Sequence, residues 1–404
     1  MDSEPKIQEY HPELLFNLPK NYGSVGKPVK GVSNVSMLFS ELRIKDLTLK
    51  NRIVCSPMCM YSCEDGLMND FHLVHLGSFA KGGCGLIVFE ATAVQSEGRI
   101  TYADSGLWND AQIGPLKRIN DFVHKFDSKT CLQIAHAGRK ASTYPPFLGM
   151  RNVTIPADDI KNRGWDIKGP SAVPWGEESL VPAEMSIDDI QETIEAFKAT
   201  TLRAMEAGFD AIEIHGAHGY LISSFLSPTS NKRTDRYGGS FEGRAQFLVD
   251  IVRAVRSVLP SSVPLFVRLS CEEWVKDGIH IEDTVRLAKI LETMDVDLLD
   301  CSSGGNSSNQ KIAGGPLYQV PFAERIKSST RFLTGAVGLI NKPNEAEKIL
   351  REDKCDLVFL ARGLLRDPFW AIHAAYELEV EVDNCLQYSF VDKRYMQGLR
   401  SSIP

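Results

Sequence analysis

The chain has no excess of positive charge: 45 Lys and Arg stand against 52 Asp and Glu, a formal net charge of −7. That balance leaves nothing spare to neutralise a nucleic-acid backbone, so nucleic-acid binding is not expected. Long apolar runs are also missing, since none approaches the roughly 18 residues of a membrane span. The opening MDSEPKIQEYH is acidic and polar, where a signal peptide would be basic and then apolar. A soluble, cytoplasmic protein without a membrane partner is expected. The nine cysteines are odd in number and mostly sit singly in apolar runs, as Cys131 does in KTCLQIAH and Cys301 in DLLDCSSGG, which reads as reduced, buried thiols. Cys55, Cys59 and Cys63 recur at every fourth position. Cys55 falls in a strand-like run and no fourth ligand has matching spacing, which argues against a metal or iron–sulfur set. No GxGxxG stands at a suitable strand-to-helix junction, so a Rossmann dinucleotide domain is not supported.

What is present is ordinary globular material, 43% hydrophobic and 24% charged, enough for a large core. Residues 1–36 lack periodicity and read as an irregular extension. MLFSELRIKDLTLKNRIV alternates apolar and polar residues around Lys45-Asp46, the pattern of a hairpin leading into a first strand. Short β-rich runs then alternate with helical stretches: RIVCSPM, GLIVFEAT, TCLQIAH, FDAIEIH, PLFVRLS, VDLLDCSS, RFLTGAV and DLVFLAR. Eight such units predict an α/β fold, a single (βα)8 TIM barrel over residues 37–380, with a doubly wound open sheet as the alternative. Residues 381–404 form a C-terminal tail, placed at a possible subunit interface. One helix is expected from Ser186, a capping residue with Asp189 three positions on, to Gly208, with Ile187, Ile190, Ile194 and Phe197 as its apolar stripe. Asp210, Asp297 and Asp356 each precede a strand and read as structural turn residues. The stretch from Thr143 to Glu184, rich in Pro, Gly and Trp, is too long for an ordinary connection and is expected to cover the active face.

In such a barrel the chemistry sits where the strands run out at their C-terminal ends. Those places hold Ser56 to Tyr61 after the first strand, Gln133 and His136 on the third, His215, His218 and Tyr220 on the fourth, Arg268 on the fifth and Arg362 on the eighth. Arg268 is a permanent cation inside the apolar run LFVRLS, and an unpaired buried charge is very costly, so it needs an anionic partner: a barrel-interior carboxylate or an anionic ligand. His215 and His218 with Tyr220 have two readings. They could contribute to a metal site, although Glu213 is one pleat too deep to serve easily as a further ligand. Equally, they could donate hydrogen bonds to a carbonyl oxygen beside a phenolic acid. TGAVG at Thr334 to Gly338 and Ala361-Arg362 supply small residues and a cation where barrels of this type hold phosphate.

With these residues in place, the chain resembles the old yellow enzyme family of flavin ene-reductases over about Met37 to Pro368. The resemblance is to the bacterial or thermophilic-like subgroup, which also has fungal members, and a fungal source is expected. It is carried by KNRIVCSPMCMYS, AHAGRKA, IEIHGAHGYLISSFLSPTSNKRTDRYGGS, FVRLS, TGAVG and ARGLLRDP. The resemblance implies non-covalent FMN and NAD(P)H as reductant, NADPH slightly favoured. Ser56, Pro57, Met58 and Cys59 would line the flavin, Cys59 tuning its redox behaviour, and Ala91 and Gln133 would touch the isoalloxazine. Arg268 would face N1 and O2, while Gly338, Ala361 and Arg362 would hold the phosphate. It further implies a ping-pong NAD(P)H:acceptor oxidoreductase in which an activated alkene takes a hydride from flavin N5. Tyr220 would then protonate the α-carbon, His215 and His218 would hold the carbonyl oxygen, and Tyr61 would line the substrate pocket. Ala361 replaces the glycine of close bacterial relatives. A homo-oligomer, dimer or tetramer, is implied, with Arg394 or Arg400 as candidates to reach a neighbouring active site. The competing readings are a metal-dependent barrel hydrolase using His215 and His218, a flavoenzyme that oxidises or isomerises a biosynthetic intermediate, and a non-catalytic flavin-binding barrel.

Overall fold

The computed structural model describes residues 20–29, 36–150, 153–177 and 179–388. The eight apolar runs form eight strands: β1 (Ile53–Cys55), β2 (Leu86–Ala93), β3 (Lys129–Ala135), β4 (Ala211–Gly216), β5 (Leu265–Ser270), β6 (Leu298–Ser302), β7 (Leu333–Ala336) and β8 (Leu357–Leu360). All pair in parallel in chain order, and β8 closes on β1 with Phe359 opposite Val54. The sheet is therefore a closed barrel, not an open doubly wound one. A principal helix follows each strand: α1 (Asp70–Lys81), α2 (Ile113–His124), α3 (Ile187–Glu206), α4 (Phe241–Arg256), α5 (Ile281–Leu291), α6 (Val320–Lys327), α7 (Pro343–Arg351) and α8 (Trp370–Glu377).

Alternation along the strands sorts the side chains into two cores. One set faces outward to the helices, and the other fills the barrel. At the N-terminal end the interior is apolar, with Val54, Leu86, Val88, Cys131, Ala211, Phe266, Leu298, Leu357 and Phe359 in one buried cluster. The predicted hairpin, Leu42–Ile44 with Leu47–Leu49, adds Ile44, Leu47 and Leu49 to that cluster and so plugs this end. Two residues further along the same strands the interior turns polar and stays buried, with Gln133, Glu213, Arg268 and Asp300, followed by His215 and Ser302.

Ser186 caps α3 in a reciprocal box with Asp189, and Gly208 at φ +84° ends the turn behind it. Ile190, Ile194 and Phe197 are buried, whereas Ile187 is 42% exposed in the first turn at the rim, so the apolar stripe begins one turn later than its spacing predicts. Asp210, Asp297 and Asp356 each accept the amide of a residue at the start of the preceding strand, Thr130 at 2.8 Å, Leu265 at 2.9 Å and Thr334 at 2.9 Å. They are structural clasps at the end away from the chemistry.

The 143–184 excursion reaches over the opposite end. Arg139 donates to the carbonyls of Val173 and Pro174 at 3.2 and 3.1 Å, and Trp175 Nε1 donates to Gly305 O at 2.9 Å. Residues 26 and 29 donate to Asp383 O and Glu381 O at 2.8 and 3.0 Å, so the two ends of the described chain meet on the barrel. Arg394 and Arg400 lie outside the described residues. Among the described residues no helix is long and apolar enough to cross a membrane.

Candidate active site

Arg268 on β5 is buried, and its guanidinium works in two directions. Nη2 donates to Ser56 Oγ just beyond β1 at 3.3 Å, and Nε lies 3.0 Å from Asp300 Oδ2 on β6. The second contact is charge to charge, because the Nε–H is not aligned as a hydrogen bond to either carboxylate oxygen. The partner that the sequence required for Arg268 is thus a barrel-interior carboxylate, and Asp300 carried the same signal: a lone charge within LLDCS. Gln133 Nε2 on β3 donates to Glu213 Oε1 on β4 at 2.8 Å. Burial pushes the carboxyls of both Glu213 and Asp300 above the usual carboxylate range.

One pleat nearer the mouth, His215 Nδ1 accepts from the Ala217 amide at 3.2 Å. Burial, with Arg268 and then Lys140 nearby, holds this imidazole neutral, so its remaining proton sits on Nε2. His218 is held neutral by burial and the same cations, with His215 adding to the effect. Its backbone is left-handed at φ +62°, its amide donates to Ser270 Oγ at 2.8 Å, and its Nε2 lies 2.7 Å from Ser302 Oγ. Gly219 follows at φ +75°, where a Cβ would sit 2.3 Å from Gly305 O. Only glycine permits this approach of the fourth-strand loop to the sixth. The His215 ring lies 5.1 Å from both the His218 and the Tyr220 rings, edge to face in each case. Lys140 Nζ donates to His218 O at 2.8 Å and Gly305 O at 2.9 Å, and stands over the Tyr220 and Trp175 rings at 5.1 and 4.9 Å.

Beyond β1, the chain passes Pro57 and Met58, both half-buried, to Cys59. Burial, then Asp104 and Glu90, pushes the Cys59 thiol far up, so it is a neutral thiol beside Ala91. Buried Glu90, at the register shift of β2, accepts the Met60 amide at 3.2 Å and lies 3.6 Å from His72 Nε2 of α1. Tyr61 takes φ +53°, with a phenol pushed up by burial and by Cys59 and Tyr220 close by. Ala91 and Tyr220 line one small pocket together with Asp104.

A second cavity of about 180 Å³ runs from His218 and Ser302 to Gly338, Ala361, Arg362 and Gly363. Gly338 lies at φ +120°, and a Cβ there would come within 3.0 Å of Gln319, so the bare backbone forms a cradle. Ala361 has φ −113°, outside the left-handed region that favours glycine. Peptide amides beside one guanidinium suit an anion. The structure therefore gathers His215, His218, Tyr220, Arg268, Ser56 and Gln133 at one barrel mouth, with the cradle opening from His218. Asp300, Ser302, Glu90 and Lys140 join the site without having been singled out in the sequence, because their roles depend on pairing between distant segments. For the metal reading, no group of three His, Cys, Asp or Glu among the described residues has metal-holding geometry.

The model of the NADH:flavin oxidoreductase / NADH oxidase family matches residues 37–381. An NADPH dehydrogenase of Bacillus cytotoxicus is 46% identical over 88% of this chain and 96% of its own length. An NADPH dehydrogenase of a Geobacillus species is 46% identical over 87% of this chain and 98% of its own. These relatives are bacterial, so the fungal source expected from the resemblance is not borne out. Among solved structures, a 2-naphthoyl-CoA reductase superposes with TM-score 0.76 at 25% identity, covering 88% of this chain and 56% of that one. Morphinone reductase superposes with TM-score 0.71 at 23% identity, covering 87% and 92%, a likeness of fold. The family match spans the whole barrel, and the chain accordingly belongs to the NADH:flavin oxidoreductase / NADH oxidase family as an FMN-dependent NAD(P)H oxidoreductase.

Proposed function

We propose that this enzyme reduces the C=C bond of α,β-unsaturated carbonyl compounds, with NADPH as the favoured reductant. The observation that carries the reading is the edge-to-face cluster of two neutral imidazoles and a phenol, with ring centroids 5.1 Å apart, at the mouth that also holds Arg268. FMN fits the residues present: the glycine cradle and Arg362 suit its phosphate, and a fixed cation and an amide side chain, Arg268 and Gln133, suit the ring edge. Ser56, Pro57, Met58, Cys59 and Ala91 would line it. When bound, the flavin supplies a hydride, received from the nicotinamide, to the β-carbon of the alkene.

The chain's own residues do the rest. His215, with its proton on Nε2, donates to the substrate carbonyl and stabilises the negative charge that develops on that oxygen. Its preorganisation matters most there, since a neutral donor held by the Ala217 amide need not reorganise. His218 shares the task once its Nε2 exchanges Ser302 Oγ for the substrate oxygen. Tyr220 delivers the proton to the α-carbon, and Tyr61 bounds the pocket that orients the alkene.

The test separates the half-reactions. Tyr220→Phe is expected to slow alkene reduction by about 100-fold or more, the contribution of a positioned general acid, while flavin reduction by NADPH keeps its rate. Unchanged alkene reduction in this variant would refute the role.

A further inference from the structure

Four of the polar side chains inside the barrel, Gln133, Glu213, Arg268 and Asp300, form one layer whose charges do not balance with both carboxyls ionised. Gln133 stands opposite Glu213 across β3 and β4, His215 opposite Arg268 across β4 and β5, and Arg268 opposite Asp300 across β5 and β6. The groups facing Glu213 are Cys131 and Gln133 on β3, His215 on its own strand, Arg268 on β5 and Asp300 on β6. Val54, Val88 and Phe359 inside β1, β2 and β8 are apolar. The Cys131 thiol is pushed far up by burial, with Glu213 next, and so is neutral, as is His215. One cation then faces two carboxyls, and Asp300 occupies it at 3.0 Å. Glu213 has no solvent exposure, one donor in Gln133, and an Oε2 with no partner, while both oxygens of Asp300 also lack a hydrogen-bond donor. Two ionised carboxylates would leave the layer with net negative charge and three oxygens short of a donor, a costly arrangement in a buried site.

We propose that Glu213 is the charge-balancing proton carrier of the flavin site: protonated at neutral pH while the flavin is oxidised, and harder to ionise once it is reduced. A single proton cancels the surplus charge and turns Oε2 into a donor in a layer whose undonated acceptors belong to Asp300. The direction of the Glu213 shift, upward through burial and then Asp300, agrees. With FMN bound, hydride transfer from the nicotinamide would add two electrons and one proton to it, leaving one extra negative charge for Arg268 and Gln133 to face. At alkaline pH, where Glu213 is ionised before reduction, that charge draws one further proton from solvent water onto the Glu213 carboxylate, releasing hydroxide. Glu213 is a positioning residue that acts through Gln133 and Arg268. The inference rests on reading these two as flavin contacts.

The test uses the FMN-loaded protein, with infrared spectra and the two-electron midpoint potential followed against pH. Wild type is expected to show a protonated-carboxyl stretch at neutral pH that Glu213→Gln lacks. Its potential is expected to fall more steeply on the alkaline side of neutrality, by an additional 30 mV or so per pH unit, the two-electron equivalent of a tenfold change. Glu213→Gln is expected to lose that break. Asp300→Asn, a second variant should the first not fold, is expected to lose the same stretch, because Glu213 then ionises to pair with Arg268. A carboxyl-stretch region unchanged between wild type and Glu213→Gln, or a potential with no break in wild type, overturns the proposal. The flavin-site reading fails separately, if Arg268→Met binds FMN as tightly as wild type.

Discussion

A guanidinium inside a closed barrel has to be answered by an anion, and Arg268 is answered by Asp300 at 3.0 Å. Removing one member strands the other, so Arg268→Met is expected to lower the stability of the flavin-free protein by about 3–5 kcal/mol in urea unfolding; a loss under about 1 kcal/mol would show that Asp300 is not held by this pair. At this scale the sequence was partly legible. A charge in an apolar run announced Arg268, and the same signal at Asp300 was masked by the turn residue Asp297 three positions earlier. HGAHGYL was readable as a histidine pair beside a phenol, with metal binding and carbonyl binding both open, but not that His218 would rest on Ser302 or that Lys140 would brace the His218 carbonyl. Those contacts join strands far apart in the chain and exist only once the register is set.

Elements were legible wherever periodicity is strong. The eight strands follow from alternating and continuous apolar runs, and α3 from a cap, a stripe and a glycine stop. Ser186→Ala deletes the oxygen that accepts the Asp189 amide at 3.1 Å and is expected to cost about 1 kcal/mol of stability; thermal unfolding indistinguishable from wild type would contradict that cap's contribution. The excursion from 143 to 184 was legible as a loop expected over the active face, but its path was not. That path is written in hydrogen bonds to Arg139 and in the Trp175 indole on Gly305 O, interactions with no local sequence pattern. The register shift in β2 was equally silent, although it turns Glu90 toward the Met60 amide and so links this strand to the loop carrying Cys59 and Tyr61.

Taken whole, the molecule separates stability from chemistry along the barrel axis: a hairpin plug and apolar layer at one end, a polar layer in the middle and the imidazole–phenol cluster at the mouth. Stability itself carries a pH signature from the lower end. Lys50 is buried, donates to Phe126 O at 2.7 Å and Ser128 Oγ at 3.1 Å, and is pushed down to about 7 by burial, which outweighs Asp127. The unfolded chain keeps this proton up to the ordinary lysine range, so above about pH 7 it binds more protons than the folded state does. Stability relative to Lys50→Met is therefore expected to rise by about 1.4 kcal/mol per pH unit from about pH 7 upward, and a flat difference would contradict a neutral buried lysine. The same separation makes the activity testable in isolation from folding. The most direct measurement is anaerobic stopped-flow: reduce the FMN-loaded protein with NADPH, remove the nicotinamide, and mix with a small panel of enones, maleimides and quinones. An ene-reductase is expected to be reoxidised rapidly by enones and maleimides, with stoichiometric saturated carbonyl product. Reoxidation by quinones alone, with the alkenes recovered unchanged, would contradict it.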